Sequence, residues 1–397
     1  MYKTLLSTLA SADKSVWRLA LGETLVWAAL YYVFPALLLH WEQDQGWSRS
    51  QLSLALTVAL VLSALSAPLT GRLIDRGYGR LTLTLSAIVG GLSLASLALV
   101  HSFTAFFAIW VLIGISMAGC LYEPCFAYLT HCRPMSAKRA ITVVTLAAGF
   151  ASTLAFPLAN ALADAYGWRT TVVAFGVIVV FVAAPLLWFG ANSPRGFRRT
   201  HCAPQDKRNI KVIQRPVFWL LALAFTSTAL THGMLMSHLL PLLDERGVPQ
   251  AMAILTASLI GPMQVVGRVV MLVFDRRVSV FFFAGLSFVF LALASSALFV
   301  AGTLIGGLVC FAILQGSGYG VTSITKPTVT VNILGRANFG AISGALAVPY
   351  MMAYAFAPTL SAEIWKHGGY DLVVTTCIVL PTLGLSAFVA AVRTKPN

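Results

Sequence analysis

Stretches of about 20 apolar residues recur along the whole 397-residue sequence, separated by short polar segments. At 1.5 Å per residue, a helix of that length crosses the hydrocarbon core of a bilayer. The pattern therefore predicts about twelve transmembrane helices. Their expected bounds are residues 16–39, 51–70, 81–101, 104–128, 139–163, 168–191, 215–241, 251–274, 278–300, 302–327, 337–364 and 371–393.

The longest polar segment lies near the middle of the chain and is rich in Arg, Lys and Pro. It predicts a cytoplasmic linker over residues 192–214, between an N-terminal six-helix bundle (1–191) and a C-terminal six-helix bundle (215–397). The first apolar run is too long for a cleaved signal peptide and lacks a small-residue cleavage site, so we expect it to be retained as a helix. The predicted fold class is an all-α membrane protein with two pseudo-symmetric bundles.

The two halves also repeat each other in sequence. Four landmarks recur in order at an offset of about 200 residues: Pro35 with Pro241, Asp75-Arg76 with Asp275-Arg276, Glu123-Pro124 with Lys326-Pro327, and Pro157 with Pro358. Paired helical halves of this kind hold a substrate near the bilayer midplane and move against each other to alternate access. The repeat therefore favours a transporter.

Composition supports a membrane protein and indicates its orientation. Only 10% of residues are charged, against roughly 25% in soluble domains, and the mean hydropathy is +0.83. Of the 27 Lys and Arg residues, 23 fall on the side of the predicted spans that holds both termini. Positive residues mark the cytoplasmic side, so we expect a multi-pass protein of the cell (inner) membrane with cytoplasmic termini. The net charge of +14 then faces anionic lipid rather than nucleic acid.

No pattern indicates catalysis, a metal or a cofactor. The six cysteines show no metal-ligand spacing and are expected to pack as small apolar residues. Glycines in the apolar runs predict close helix contacts, because neither a strand nor a phosphate-binding lysine accompanies them. The members of this set are Gly114, Gly119, Gly316, Gly318 and Gly320.

The segment GRLIDRGYGR, Gly71 to Arg80, follows the second predicted span. It resembles the loop signature of the major facilitator superfamily, Gly-x-Leu-x-Asp-Arg-x-Gly-Arg, with one extra residue in the turn. The resemblance implies twelve helices, transport by alternating access, and a cytoplasmic gate in which glycines permit a tight turn while charged residues bridge helix ends. The predicted gate residues are Gly71, Asp75, Arg76, Gly79, Arg80, Arg139, Asp275, Arg276 and Lys326.

Two further segments resemble one branch of that superfamily, the monocarboxylate porters and oxalate/formate exchangers. They are GWSRSQLSLALT, Gly46 to Thr57, and AKRAITVVTLAAGFAST, Ala137 to Thr153. In this branch an arginine embedded in the eighth span often pairs with a substrate carboxylate, frequently four residues after an aspartate. Arg268 stands at that position here, and Gln264 replaces the aspartate.

Arg268 lies seven residues before Asp275, which places it about 10 Å up the helix from the predicted membrane boundary. An arginine at that depth is costly unless it is paired or hydrated. Two interpretations stay open. Arg268 binds an anionic group of the substrate, or it is a structural residue that reaches the cytoplasmic interface or pairs permanently with an acid.

Three residues within the spans are candidates for proton coupling: Glu23, Glu123 and His232. Glu23 begins a stripe with Trp27 and Tyr31, each four residues apart and so on one helix face. The alternative for each acid is a salt bridge at the cytoplasmic gate, and for His232 a packing role with a hydrogen bond.

The preferred function is secondary active transport of a small organic anion, a monocarboxylate, by proton symport or by exchange. We expect a monomer whose partners are the substrate, protons or a counter-substrate, and the lipid bilayer. Two alternatives stay open: proton-driven efflux of drugs or of a toxic metalloid, and a membrane sensor that binds a ligand without moving it. The predicted substrate-binding residues are Arg268, Gln264, Trp27, Tyr31, Tyr122, Gln315, Tyr350 and Tyr354.

Overall fold

The computed structural model of the chain describes residues 13–133, 137–191, 214–274, 277–301, 304–335 and 339–394. The chain divides into two compact units, Met1–His201 and Cys202–Asn397, called unit 1 and unit 2 below. The predicted linker, residues 192–214, lies almost wholly outside the described residues. Its bounds, and those predicted for the two bundles, therefore stay a prediction.

Unit 1 is built from helices only, over its described residues. The first helix, α1, spans Lys14–Gln45 and contains a π-helical segment at Trp27–Tyr32, where the backbone turn widens by one residue. The following helices are α2 (Arg49–Leu73), α3 (Gly79–Ser96), α4 (Phe103–Cys120), α5 (Tyr122–Cys132), α6 (Ala137–Ala148), α7 (Ala151–Ile178) and α8 (Ala184–Gly190). Further π-helical segments follow α2 at Ile74–Tyr78 and α7 at Val179–Ala183.

Unit 2 is likewise helical throughout its described part. Its helices are longer and fewer: α9 (Pro216–Glu245), α10 (Gln250–Phe274), α11 (Val280–Ala301), α12 (Ile305–Leu334) and α13 (Phe339–Arg393). The tenth predicted span therefore corresponds to the single helix α12, which continues through Pro327.

Nine apolar helical stretches in the described part of the chain are long enough to cross a membrane. Three of them, Arg49–Leu99, Arg139–Gly190 and Ala345–Arg393, hold 51, 52 and 49 residues. A straight helix of that length would extend about 75 Å, more than twice the hydrocarbon thickness. Each turns at a glycine with positive φ, at Gly77, Gly167 and Gly369, so each crosses twice. The helices accordingly supply twelve crossings, as the apolar pattern predicts.

The fourth predicted span is broken. Helix α4 ends at Cys120, Leu121 is extended with φ −93° and ψ −162°, and α5 begins at Tyr122. The break comes three residues before Pro124. Pro124 lies in the first turn of α5, where a missing backbone N–H removes no helical hydrogen bond.

Glycines bring helices together at equivalent places in the two units. In unit 1 a side chain at Gly114 of α4 would strike the backbone of Ala59 in α2. In unit 2 a side chain at Gly320 of α12 would strike the backbone of Gln264 in α10. The predicted role of these glycines in close helix contact is confirmed. The second contact places Gln264, a predicted substrate-binding residue, where α10 packs against α12.

The repeat also extends to contacts at the opposite helix ends. The Trp168 indole donates to the Asp44 carboxylate at 2.7 Å in unit 1, and the Trp365 indole donates to the Glu245 carboxylate at 2.9 Å in unit 2. In both units the tryptophan lies near the glycine turn of a long helical stretch. Its hydrogen bond links that stretch to the end of the unit's first helix.

Candidate functional site

The segment that resembles the superfamily loop forms the turn between α2 and α3. Asp75 and Arg76 are both exposed, and Gly77 adopts φ 90°. The tight turn thus depends on Gly77, whereas Gly71 and Gly79 are helical. Gly79 serves packing instead, because a Cβ there would lie 2.7 Å from the Tyr128 ring. Among the glycines of the segment, Gly77 thus permits the turn, and Gly79 permits the close contact with Tyr128.

The other predicted gate residues have varied surroundings. The Arg80 guanidinium lies 3.6 Å over the Trp188 ring, in the geometry of a cation–π contact. Arg139 is exposed at the start of α6, and Lys326 lies in α12. Asp275 and Arg276 lie outside the described residues. A gate role for the whole set stays a prediction.

Glu23 is fully buried in α1, with 0% of its surface exposed. Neither carboxylate oxygen accepts a hydrogen bond from any residue that the structure describes. The Cys125 thiol, a weak donor, lies beside the carboxyl, and Cys120 and Glu123 lie within electrostatic reach. A buried carboxyl without a fixed partner is an unusual feature of a folded protein, and it is characteristic of groups that exchange protons.

Aromatic residues gather one turn beyond Glu23, in the π-helical segment of α1. The Trp27 ring lies 4.8 Å from Tyr122, 5.5 Å from Tyr31 and 6.4 Å from Tyr32, measured between ring centroids. Tyr122 is the first residue of α5, so the break in the fourth span delivers it to this cluster. We call Trp27, Tyr31, Tyr32 and Tyr122 the aromatic cluster of unit 1.

Glu123 differs from Glu23 although both were candidates for proton coupling. It lies in the first turn of α5 and is exposed in the described structure. The negative charges of the two carboxylates are close enough to influence each other. Glu23 is therefore the buried member and Glu123 the accessible member of one acidic pair.

Arg268 is buried in α10, with 6% of its surface exposed. Its Nε donates to the backbone carbonyl of Gly320 at 3.1 Å, and its Nη2 donates to the Gln264 side-chain oxygen at 3.3 Å. Gln264 is equally buried. These two contacts orient the guanidinium plane.

A second group of buried polar residues lies within electrostatic reach of Arg268. His232 of α9 is 1% exposed, and its Nδ1 lies 3.2 Å from the Gln315 side-chain nitrogen. The Tyr319 ring stacks on the His232 ring at a centroid distance of 3.5 Å. Gln315 and Tyr319 are four residues apart on α12, so one helix face supplies both contacts.

The tyrosines of α13 extend this group. The Tyr350 hydroxyl lies 2.9 Å from the Tyr319 hydroxyl, and Tyr354 lies 6.4 Å from the His232 ring. The Lys326 ammonium sits 3.6 Å over the Tyr350 ring. Lys326, which is predicted as a gate residue, thus contacts Tyr350, which is predicted to bind substrate. We call Gln264, Arg268, His232, Gln315, Tyr319, Tyr350 and Lys326 the polar cluster of unit 2.

Two members of these clusters were missed by the sequence interpretation. Tyr319 stands four residues after Gln315 and seven before Lys326 on one face of α12, so the helical spacing alone could have found it. Tyr32 sits beside Tyr31, and a regular α-helix would place it on a different face. The π-helical segment changes the spacing and lets both rings reach Trp27.

Metal ligation has no candidate in the described part of the chain. No group of three His, Cys, Asp or Glu side chains there has the geometry to hold an ion. Cys120 and Cys125 are both buried, and the Cys120 thiol donates to the Ser116 carbonyl at 3.1 Å.

Two solved structures of a bacterial homolog to the human lysosomal transporter Spinster share this fold. The inward-facing, occupied form is 18% identical to this chain, with a TM-score of 0.70 over 96% of each chain. The inward-facing, unoccupied form is 17% identical, with a TM-score of 0.67 over 96% of this chain and 95% of the other. No curated protein sequence matches the chain.

The sequence profile described as Major Facilitator Superfamily matches residues 19–358, which is most of the chain. The superfamily suggested by the loop between α2 and α3 is thus confirmed, whereas the monocarboxylate branch is not. Membership indicates a multi-pass membrane transporter rather than an enzyme. The chain belongs to the Major Facilitator Superfamily.

Proposed function

We propose that this transporter moves a small organic anion, a monocarboxylate in the simplest case, and that Arg268 binds the anionic group. The observation that carries the proposal is the buried guanidinium whose plane is oriented by Gln264 and the Gly320 carbonyl. Guanidinium groups bind carboxylates through two parallel hydrogen bonds, which makes such a preset plane effective.

The other residues predicted to bind substrate supply further contacts in this proposal. Gln315, Tyr350 and Tyr354 shape the site in unit 2. In unit 1, Trp27, Tyr31 and Tyr122 provide apolar surface. Glu23 carries the proton, because it is buried and lacks a fixed hydrogen-bond partner among the described residues. The protein then works by alternating access, as a proton symporter or an exchanger, with both termini in the cytoplasm.

Uptake by purified protein in liposomes tests the proposal. The probes are radiolabelled formate, lactate and oxalate, offered separately with and without an inward proton gradient. We expect uptake of at least one probe, and Arg268→Ala should reduce it about a hundredfold, since a hydrogen-bonded charge is worth up to about 3 kcal/mol.

The control for this test is Arg72→Gln, which removes an exposed positive charge that the proposal does not use. Its uptake should equal that of the unmodified protein. Undiminished uptake of every accepted anion by Arg268→Ala would refute the assignment. A protein that binds a probe but moves none in liposomes would instead be a sensor.

A second candidate function is proton-driven efflux of a cationic or apolar toxic compound. It is favoured by one observation in unit 1, where the buried Glu23 lies one helical turn before Trp27, whose ring neighbours three tyrosine rings. Aromatic faces and a carboxylate together suit an organic cation. Cells that express the protein would then tolerate such compounds, and the tolerance would depend on Glu23 but not on Arg268.

A further inference from the structure

A groove opens on the surface of unit 2, lined by residues outside the polar cluster of that unit. It runs between the first half of α11 and the last turns of α13 and encloses about 470 Å³. Its walls are apolar side chains, with Phe282 and Val289 on one side and Val389 on the other. Arg393, in the last turn of α13, closes one end. The groove is thus an apolar channel with a single positive charge at its mouth.

Gly285 keeps this groove open. A Cβ at Gly285 would meet only the side chains of Leu385 and Phe388, each at 4.0 Å. By contrast, Gly267, like Gly320, lets two helix backbones touch. Glycine inside a helix costs about 1 kcal/mol relative to alanine. No close helix contact requires glycine at position 285. The missing side chain instead leaves open space in the groove.

The residues of unit 1 at the repeat offset of about 200 differ from those of unit 2, since Trp188 corresponds to Phe388 and Arg80 to Val280. In unit 1 the Arg80 guanidinium lies 3.6 Å over the Trp188 ring. In the described residues, no acid pairs with Arg393. No described carboxylate therefore neutralises the charge that lines the groove.

We propose that the groove binds one anionic phospholipid, with an acyl chain between α11 and α13 and the phosphate on Arg393. The dimensions favour a lipid over a second protein. The groove extends along each helix for about eight residues, from Val289 on α11 or Leu385 on α13 to the end lined by Arg393, and this is about 12 Å of helix. That length suits part of one acyl chain, whereas a stable protein interface needs roughly 800 Å² per partner. The charge at the mouth complements a phosphate, and basic pockets between membrane helices are known to take such headgroups.

Titration of the purified full-length protein in neutral detergent tests the proposal. The two probes are phosphatidylglycerol and phosphatidylcholine with identical acyl chains. Binding is read by the rise in melting temperature and by retained lipid in native mass spectrometry. We expect phosphatidylglycerol to bind more tightly, and Arg393→Gln to weaken it about fivefold, the effect of removing one basic group near the headgroup. Binding of phosphatidylcholine should hardly change in this variant.

Gly285→Leu should weaken both lipids about tenfold, because its side chain fills the space an acyl chain would occupy. Val389→Trp blocks the groove from the opposite helix, so the test does not depend on one variant folding. The matched controls are Gly306→Leu, a glycine with open surroundings elsewhere, and Arg72→Gln, an exposed arginine in unit 1. Equal binding of the two lipids, or equal losses in the blocking variants and their controls, would overturn the proposal.

Discussion

The buried acid of unit 1 and the buried base of unit 2 are held in opposite ways. Glu23 has no hydrogen-bond partner for either oxygen among the described residues, whereas Arg268 has two described contacts that orient its plane. A group without fixed contacts can gain or lose a proton with little rearrangement. A group with fixed contacts can present donors to a ligand at little entropic cost. The difference supports the proposal that Glu23 of unit 1 exchanges protons and that Arg268 of unit 2 binds the anionic group.

The helix backbones reinforce the same contrast. In unit 1 the fourth span breaks at Leu121, and α1 carries a π-helical segment directly beside the acid. In unit 2 the equivalent α12 is continuous through Lys326 and Pro327. Irregular backbone in a span frees polar groups and marks functional positions. The two units thus repeat the same order of helices, and their backbones differ at the fourth span and at its counterpart α12.

The largest expected effect comes from replacing the neutral Gln264 contact of Arg268 with a charged one. Gln264→Glu places a carboxylate where a neutral oxygen now contacts Nη2 at 3.3 Å. The new ion pair should occupy the guanidinium, and anion uptake should fall between about tenfold and a hundredfold. The measurement is the initial rate of uptake in liposomes.

The matched control for that variant is Gln250→Glu, the same substitution on the exposed first turn of α10. It should leave the uptake rate unchanged. Equal rates for Gln264→Glu and the unmodified protein would mean that Arg268 does not contact the anion.

Removing the acid of unit 1 should affect coupling rather than binding. Glu23→Gln keeps the size of the side chain but cannot exchange a proton. Accumulation driven by a one-unit pH step, which stores about 1.4 kcal/mol, should fall by about tenfold, while exchange without a gradient continues. Uptake and exchange are measured in the same liposomes.

Glu123→Gln is the comparison for this experiment, because Glu123 is the exposed member of the acidic pair. It should retain gradient-driven accumulation. The reverse result, with accumulation lost only in Glu123→Gln, would transfer the coupling role to Glu123.

A smaller effect should separate packing from function in the two units. Gly114→Val and Gly320→Val both force a side chain against a neighbouring backbone, and each should destabilise the protein by about 1–3 kcal/mol. Only Gly320→Val should also impair anion uptake by the folded fraction, because Gly320 holds Arg268 through its carbonyl. Melting temperature and uptake per folded molecule are the measurements.

Gly306→Val provides the reference for those variants, since Gly306 has open surroundings. It reports the cost of valine in a helix without a packing clash. If Gly114→Val impaired anion uptake as much as Gly320→Val did, the assignment of substrate binding to unit 2 would be wrong.

The smallest expected effect is a pH dependence at the start of α1. Asp13 accepts a hydrogen bond from Arg133 at 3.0 Å, and this contact lowers the pKa of Asp13 below its usual value of 3.8. A lowered pKa stabilises the folded state at pH values above 3.8 and loses that contribution as the pH falls through the folded-state value. The site is largely exposed, so the contribution is small.

Asp13→Asn should therefore melt slightly below the unmodified protein at pH 7, and the difference should shrink as the pH falls below 3.8. Asp371→Asn offers a comparison in unit 2, where an exposed carboxylate pairs with Arg246. A difference for Asp13→Asn that persists unchanged at low pH would show that the carboxylate charge does not stabilise the start of α1.

The sequence alone determined the membrane character, the number of crossings and the superfamily. These follow from runs of apolar residues, since a bilayer accepts only segments with satisfied backbone groups, and from a local loop motif. It also singled out Glu23, Trp27, Gln264 and Arg268, because a polar or aromatic residue within an apolar run is conspicuous.

The tertiary structure decided what those residues touch. The break at Leu121, the π-helical segment at Trp27–Tyr32 and the position of Tyr319 arise from backbone geometry and contacts between distant helices. Helical spacing alone does not separate a buried Glu23 from an exposed Glu123, nor identify a backbone carbonyl on α12 as a partner of Arg268. Those outcomes depend on which helices pack together, and that is settled by contacts between residues far apart in the chain.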